Sequence, residues 1–498
     1  VNLQTPEGAS AFLQEVDGFA PTPDQLEVIM GGPEPSLVIA GAGAGKTKTM
    51  ALRVVYHVAA GHVEPGQVLG LTFTKKAANE LSTRIAAMLR KAARIGATAI
   101  DEETVILSRP IVATYNAFAS GIATEHGLIV GVDPSSRLIT DAEQYQIIHD
   151  LVRNWKGGFG KDNENQLGTI ADRIKDLAAT ILNNELTTDD VREGMVEFDS
   201  HLRELGVETM TPKDAAVKRH FPTHETRLAA LDVVDEYLAY KKVNRLTEYA
   251  DQVAVAHRVL QARPDIVQSL RDEHRLVLLD EYQDTSVNQA KFLADVFAGG
   301  HDVTAVGDPN QAIYGWRGAS ADALADFTRN FAEPGKKMPQ YSLATAFRNK
   351  GEILEAANAV AAPLRAHAAK SGLNVAPLEA FNTTGGEVQI SFEVMKDDSF
   401  KAIARDIDEY RRAHAGDNKG QGPSIAVLCR ARKTMKPIAD ALAELDIPFI
   451  EHGNQSAITQ PEVKTIRAFS GRFLIRREGK PSCECLPTSI FHPPTFKH

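Results

Sequence analysis

The chain is predicted to adopt an α/β fold: a parallel sheet interrupted by a helical insertion, then a second, incomplete α/β domain. Three observations carry this. The apolar run Leu37-Val38-Ile39 opens into the small-residue loop Ala40-Gly41-Ala42-Gly43-Ala44-Gly45-Lys46-Thr47. A second apolar run, beginning at Leu276, ends in Asp280-Glu281. Lys46 and Asp280 stand 234 positions apart, too far for a minimal domain, so something is inserted between the core strands.

The core strands are expected at 37–40, 68–72, 111–114, 276–280 and 303–307. Several are apolar on both faces, as buried parallel strands are. Residues 88–110 and 121–220 read as one helical insertion whose chain returns to the core at 111–120. Segments 141–152 and 188–205 carry helical apolar spacing, and 157–168 is a Gly- and Asn-rich break. The first domain is therefore expected to comprise 1–87, 111–120 and 221–345. A second α/β pattern occupies 346–470, with strands at 388–393 and 425–429, helices at 400–415 and 438–445, and a linker at 416–423. Residues 471–498 hold four prolines, two of the three cysteines and no period. They read either as a disordered terminus or as foreign sequence following a lost frame near Phe469.

Bulk properties exclude several classes. At 498 residues, several domains of roughly 100–200 residues are expected. The 43% apolar and 24% charged content is ordinary for a globular chain and supplies more than one core. No apolar run approaches the roughly 18 residues of a membrane span, and no leader pattern is visible, which predicts a cytoplasmic location. Three cysteines make no disulfide framework. Cys483 and Cys485, with His492 and His498, match no common zinc spacing. The net charge of −10 argues against a wholly basic nucleic-acid coat and leaves a local basic groove open.

The chemistry follows from residue types. A small-residue loop lets backbone N–H groups converge on phosphate oxygens, and it departs from the usual pattern only in starting with Ala40 rather than glycine. Lys46 can reach the outer phosphates of a nucleoside triphosphate, while the Thr47 hydroxyl and Asp280 can flank Mg²⁺. Glu281, adjacent to Asp280 but aimed elsewhere, is the candidate for orienting and deprotonating water.

Further segments follow in a fixed order: Thr22-Pro-Asp-Gln25-Leu, the phosphate loop, Leu71-Thr-Phe-Thr-Lys-Lys-Ala-Ala-Asn-Glu-Leu81 and Thr114-Tyr-Asn-Ala-Phe118. Then come Asp280-Glu-Tyr-Gln-Asp-Thr-Ser286, Gly307-Asp-Pro-Asn-Gln-Ala-Ile-Tyr-Gly-Trp-Arg-Gly318 and Ala346-Phe-Arg348. From about residue 20 to 467 this set resembles the UvrD/Rep/PcrA group of superfamily 1 helicases, the 3′-to-5′ DNA translocases. The wording of several motifs is closest to the actinobacterial AdnB-type helicase–nuclease subunits.

The resemblance implies RecA-like domains that use ATP and Mg²⁺ on single-stranded or partly duplex DNA in repair or recombination. It also implies a partner subunit of a helicase–nuclease, and no membrane. By the same resemblance Gln25 contacts adenine, Phe347 stacks on it, and the loop from Ala40 to Thr47 with Lys48 holds the nucleotide. Gln311 senses the γ-phosphate, Gln283 links the nucleotide to motion, and Arg348 is an arginine finger. Thr72, Phe73, Thr74, Tyr115, Asn116, Tyr314, Trp316 and Arg317 fall where relatives touch the strand. Asn116 stands where many relatives carry histidine, and Asn310 where aspartate is common.

The later motifs of the group, a Thr-x-His-x-x-Lys-Gly-Leu-Glu segment and a second arginine motif, are not found. The resulting expectation is slow ATP hydrolysis and poor unwinding by this chain. A competing expectation is a non-processive, ATP-gated DNA-binding module. A small-molecule kinase conflicts with the combined Gln311, Trp316 and Arg348 motifs.

Overall fold

The computed structural model describes residues 2–96, 101–133, 135–157, 167–205, 220–315, 318–320, 322–383, 385–416 and 422–451. Two compact units divide at Val388 and Gln389. In the first, the strands are β1 (Ser36–Ala40), β2 (Val68–Thr72), β3 (Ile111–Thr114), β4 (Arg137–Leu138), β5 (Leu246–Thr247), β6 (Leu276–Leu279), β7 (Val303–Gly307), β8 (Gln340–Leu343), β9 (Thr345–Ala346) and β10 (Glu379–Ala380). Six form one parallel sheet in the order β3-β2-β6-β7-β1-β8. All five strands expected in the core are present, and β8 adds a sixth at the edge.

Alternation along the strands builds two cores. Leu37, Ile39, Leu69, Leu71, Val277 and Leu279 face one side. Val38, Ala40, Val68, Leu276, Leu278 and Val306 face the other. Successive side chains point to opposite faces of a strand, so a strand covered on both sides must be apolar throughout. Helices Tyr115–His126, Tyr249–Ala262 and Val287–Phe297 cover the first face. Helices Pro6–Asp17, Pro23–Met30, Lys46–Ala59 and Lys75–Ile95 cover the second.

Within that second layer, the Arg53 guanidinium is fully buried. It donates to the carbonyls of Val28 (2.7 Å), Gly31 (3.0 Å) and Gly32 (3.2 Å) and pairs with Asp302 at 3.3 Å. It thereby satisfies the open C-terminal carbonyls of the helix carrying Gln25 and ties that helix to the one that follows the phosphate loop.

A third core belongs to the helical insertion. Ile148 and Val152, then Ala171, Ile174, Ala178 and Ile181, meet Leu231, Val234 and Tyr237. The last three lie on helix His220–Val243, so the helical cluster draws on residues beyond 220. Helix Lys75–Ile95 differs from expectation in the other direction. Its row Ala78, Leu81, Ile85, Leu89 and Ala92 packs on the sheet, so residues up to Ile95 belong to the sheet layers rather than to the insertion.

The second unit has helices Lys396–Ala413 and Met435–Glu444 around a small core of Ala404, Ile438, Ala441, Leu442 and Ile447. The strands expected at 388–393 and 425–429 are not formed among the described residues. Ile390 and Phe392 are more than nine-tenths exposed, so their alternation buries nothing here. The possible zinc residues Cys483, Cys485, His492 and His498, and the segment 471–498, lie outside the described residues. Among the described residues, no helix is long and apolar enough to cross a membrane.

Candidate active site

Every element of the site leaves the C-terminal edge of the parallel sheet. β1 ends at Ala40, and the loop turns into helix Lys46–Ala59 through Gly43 and Gly45, both at φ +81°. Only glycine adopts that left-handed backbone without steric cost. No side chain caps this helix at Gly45, which leaves its first amides free for phosphate oxygens. Ala44 N–H donates to Gly41 O at 3.2 Å and Thr49 N–H to Gly45 O at 2.9 Å, fixing the loop. Gln25 is buried and donates through Nε2 to Ala44 O at 3.3 Å, while its Oε1 accepts from Thr22 N.

β6 ends at Leu279, and Asp280 follows, buried, with Oδ1 accepting from Glu281 N–H at 3.1 Å. Burial, reinforced by the Glu281 charge and opposed by Lys46, pushes the Asp280 carboxyl up to about 6. Glu281 takes the left-handed conformation (φ 51°, ψ 42°). For a residue with a Cβ this is a strained state worth of order 1–3 kcal/mol. The turn aims adjacent carboxylates in different directions: the Glu281 Oε2 accepts from Lys46 Nζ at 3.0 Å and from Gln283 Nε2 at 2.7 Å.

Gln283 Oε1 in turn accepts from Asp308 N–H at 3.1 Å, and the Asp308 carboxylate accepts from Gln311 Nε2 at 2.7 Å. One chain of hydrogen bonds therefore joins Lys46, Glu281, Gln283, Asp308 and Gln311. Asp308 is the member that sequence reasoning missed. Its signal was an acidic residue immediately after a buried strand, the same placement as Asp280. Asp284 was missed too; burial and then Glu281 push its carboxyl up to about 6.

Phe347 and Arg348 reach the loop directly. Phe347 N–H donates to Gly43 O at 3.0 Å. A Cβ on Gly43 would sit 2.9 Å from Arg348 Cβ, and one on Gly45 would sit 3.1 Å from Gln25 Nε2 and 4.0 Å from Phe347 Cε2. Gln25, the phosphate loop, Phe347 and Arg348 thus converge. Phe347 also packs on Phe381, with ring centroids 5.0 Å apart. Lys48 pairs with Asp17 at 2.5 Å and lies over the Phe19 ring. Thr47 is half-buried at the start of its helix.

A cavity of about 400 Å³ adjoins this network. It is lined by Phe73, Tyr314, Glu281, Gln283 and Gln311, so the carboxylate and a pair of aromatic rings share one space. Phe73 and Tyr314 lie 5.0 Å apart, inclined at 33°. A larger cavity of about 630 Å³ lies at the opposite edge of the sheet, among residues that precede the strands. Structural contacts occupy two of its charges: Arg271 donates to the carbonyls of Val296 and Ala298, and Asp302 pairs with Arg53.

Of the expected strand contacts, Thr72 and Thr74 line the cavity with Phe73 and Tyr314, whereas Tyr115 and Asn116 are engaged within the protein itself. Tyr115 is buried, and its hydroxyl donates to Asp280 O at 2.8 Å, so its ring is a prop beneath the carboxylate rather than an open stacking face. Thr72 is wholly buried. The Thr74 hydroxyl caps helix Lys75–Ile95 by accepting from Ala77 N–H at 3.1 Å. Asn116 Oδ1 accepts from Gln289 Nε2 at 2.8 Å. Trp316 and Arg317 lie outside the described residues.

Comparison with known proteins agrees with this geometry. Residues 22–332 match the model of the UvrD/REP helicase N-terminal domain. The ATP-dependent DNA helicase UvrD2 of Mycobacterium tuberculosis (strain ATCC 25618 / H37Rv) is 27% identical over 452 residues, 88% of this chain and 56% of that protein. UvrD1 of the same strain is 26% identical over 475 residues, 93% of this chain and 53% of that protein. PcrA of Leuconostoc citreum is 24% identical over 448 residues, 89% of this chain and 51% of that protein. The chain spans a little over half the length of these curated relatives. The matched family model covers more than half of the chain, including the phosphate loop, the Asp280-Glu281 pair and the Gln311 loop: the chain belongs to the UvrD/REP helicase family.

Proposed function

We propose that the chain forms the ATP-hydrolysing, strand-gripping part of a 3′-to-5′ DNA helicase of the UvrD type, acting in DNA repair or recombination. The observation that carries this is the shared cavity, in which Glu281, Gln283 and Gln311 line the same space as the ring pair Phe73 and Tyr314.

The residues act as follows. Loop amides and Lys46 bind the β- and γ-phosphates, so Lys46 exchanges Glu281 for phosphate when nucleotide enters. Glu281, released from that ion pair, aligns and deprotonates the attacking water. Arg348 stabilises the charge that develops on the transferred phosphoryl group. Gln25 and Phe347 hold the adenine. Thr47 and Asp280 fit a hard, oxygen-seeking cation, because the Asp280 carboxylate is buried beside Lys46 and accepts only one hydrogen bond among the described residues. Mg²⁺ held there supplies charge neutralisation on the phosphates. Bases stack on Phe73 and Tyr314, and a shift of that wall reaches Glu281 through Gln283. A helicase–nuclease partner subunit completes the proposal.

The test is ATP hydrolysis by the 498-residue chain with and without single-stranded oligonucleotide. Stimulation of tenfold or more, lost in Lys46→Ala, is expected. Equal rates with and without strand, despite strand binding, would favour the ATP-gated binding module.

A further inference from the structure

We infer that the solvent face of helix Lys75–Ile95 tracks the phosphates of a polynucleotide that leaves the cleft at Phe73 and Tyr314. This rests on the strand-binding reading above. The helix carries six cations, Lys75, Lys76, Arg84, Arg90, Lys91 and Arg94, against the single anion Glu80. That is +5 on 21 residues of a chain whose net charge is −10, leaving −15 for everything else.

The charges are also arranged. The buried row Ala78, Leu81, Ile85, Leu89 and Ala92 takes one side of the helix, and at about 100° per residue five of the six cations, all but Lys75, fall in the opposite half. All six are exposed. Lys76 makes only a loose, solvated 3.9 Å pair with Glu80. Arg84, Arg90 and Lys91 have no ion pair or hydrogen bond among the described residues.

A helix whose exposed face is only solvated interleaves the two signs, because opposite charges three or four residues apart stabilise it and like charges destabilise it by a few tenths of a kcal/mol. Here the single anion Glu80 pairs with Lys76, and neither Arg90 nor Lys91 has a carboxylate three or four positions away on the helix. A face on which Arg84, Arg90 and Lys91 go unpaired among the described residues calls for an external polyanion. The row begins at the Thr74 cap, one residue beyond Phe73, and runs about 31 Å at 1.5 Å per residue. At about 3.4 Å per phosphate along one strand of B-form DNA, that length spans about nine nucleotides. Continuity with the ring pair selects a nucleic-acid backbone over an acidic protein surface.

The test uses the whole chain with Arg84→Gln, Arg90→Gln and Lys91→Gln combined. These are exposed exchanges between good helix formers, so the fold is retained. Affinities for an oligothymidylate and for a duplex hairpin are measured from 50 to 200 mM salt. Loss of three phosphate contacts lowers the slope of log affinity against log salt by about 2 on single strands or about 3 on duplex. The substrate showing the drop identifies which backbone lies on the helix. A control removes three cations that are paired to neighbouring carboxylates, Arg263, Arg329 and Lys336, and leaves the slope unchanged.

Wild-type binding with no change of slope in the triple variant, or an equal drop in the control, overturns the inference and leaves the cleft reading standing. Failure of the wild-type chain to bind either DNA overturns both.

Discussion

Gly43→Ala tests whether the small-residue loop positions Arg348, the proposed arginine finger. Two costs follow from the geometry. At φ +81° an alanine is strained by about 1–2 kcal/mol. Its Cβ would also stand 2.9 Å from Arg348 Cβ and 3.4 Å from Arg348 N, whereas carbon atoms settle at about 3.5–4.0 Å. The Phe347–Arg348 segment, held to the loop by Phe347 N–H and Gly43 O, must therefore retreat by roughly 0.6–1 Å. A misplacement of about 1 Å at a catalytic group costs about 100-fold in rate, within the 10³–10⁵ that a finger supplies. Strand-saturated kcat should fall about 100-fold while nucleotide affinity changes less than tenfold. In the Arg348→Ala background the same change should cost almost nothing further, because coupled residues are non-additive. A kcat within threefold of wild type, or full additivity with Arg348→Ala, would refute the reasoning.

Three further outcomes are expected. Phe73→Ala or Tyr314→Ala should weaken single-strand binding by about 1–3 kcal/mol, read by fluorescence anisotropy, and leave strand-free hydrolysis unchanged; unchanged affinity would remove the ring pair from the strand path. Tyr115→Phe deletes the bond to Asp280 O and should lower stability by about 1 kcal/mol in urea unfolding without altering strand affinity; a selective loss of strand affinity would restore Tyr115 as a contact.

His257 offers a pH-dependent outcome. It pairs with Asp295 at 2.6 Å, Glu185 lies 3.8 Å away, and Lys291 opposes its charge. The Asp295 hydrogen bond raises its pKa above the ordinary 6.5 against burial. Its stabilisation is therefore complete below the unfolded value and is lost as pH rises through the folded one. His257→Gln should destabilise by about 1–2 kcal/mol at pH 6 and distinctly less at pH 9; equal losses at both would contradict this.

The sheet was legible because burial on both faces forces continuous apolar runs, and the expected β1, β2, β3, β6 and β7 differ from those found by a residue at most. β8 escaped notice because Gln340-Tyr341-Ser342-Leu343 is half-buried at the edge and reads as polar. The alternation at 388–393 is real, yet a strand exists only with a ladder partner, and alternation cannot reveal whether one is present. At the site, motif order singled out Gln25, Lys46, Glu281, Gln283 and Arg348, and these side chains meet around the small-residue loop. Tyr115 could not be assigned that way, since neighbours in a motif differ in whether they point into the core or into the cleft. The left-handed turn at Glu281, which separates two adjacent carboxylates, has no sequence signature at all.

Glu281→Gln tests the central claim most directly, by measuring nucleotide binding and hydrolysis in the same preparation. The exchange removes the carboxylate that holds Lys46 at 3.0 Å and that is proposed above to activate water. The variant should bind ATP at least as tightly as wild type, since Lys46 no longer has to leave an ion pair, and hydrolyse it at least 100-fold more slowly. Hydrolysis within a few-fold of wild type would mean that another group activates the water, and the account of this site would be contradicted.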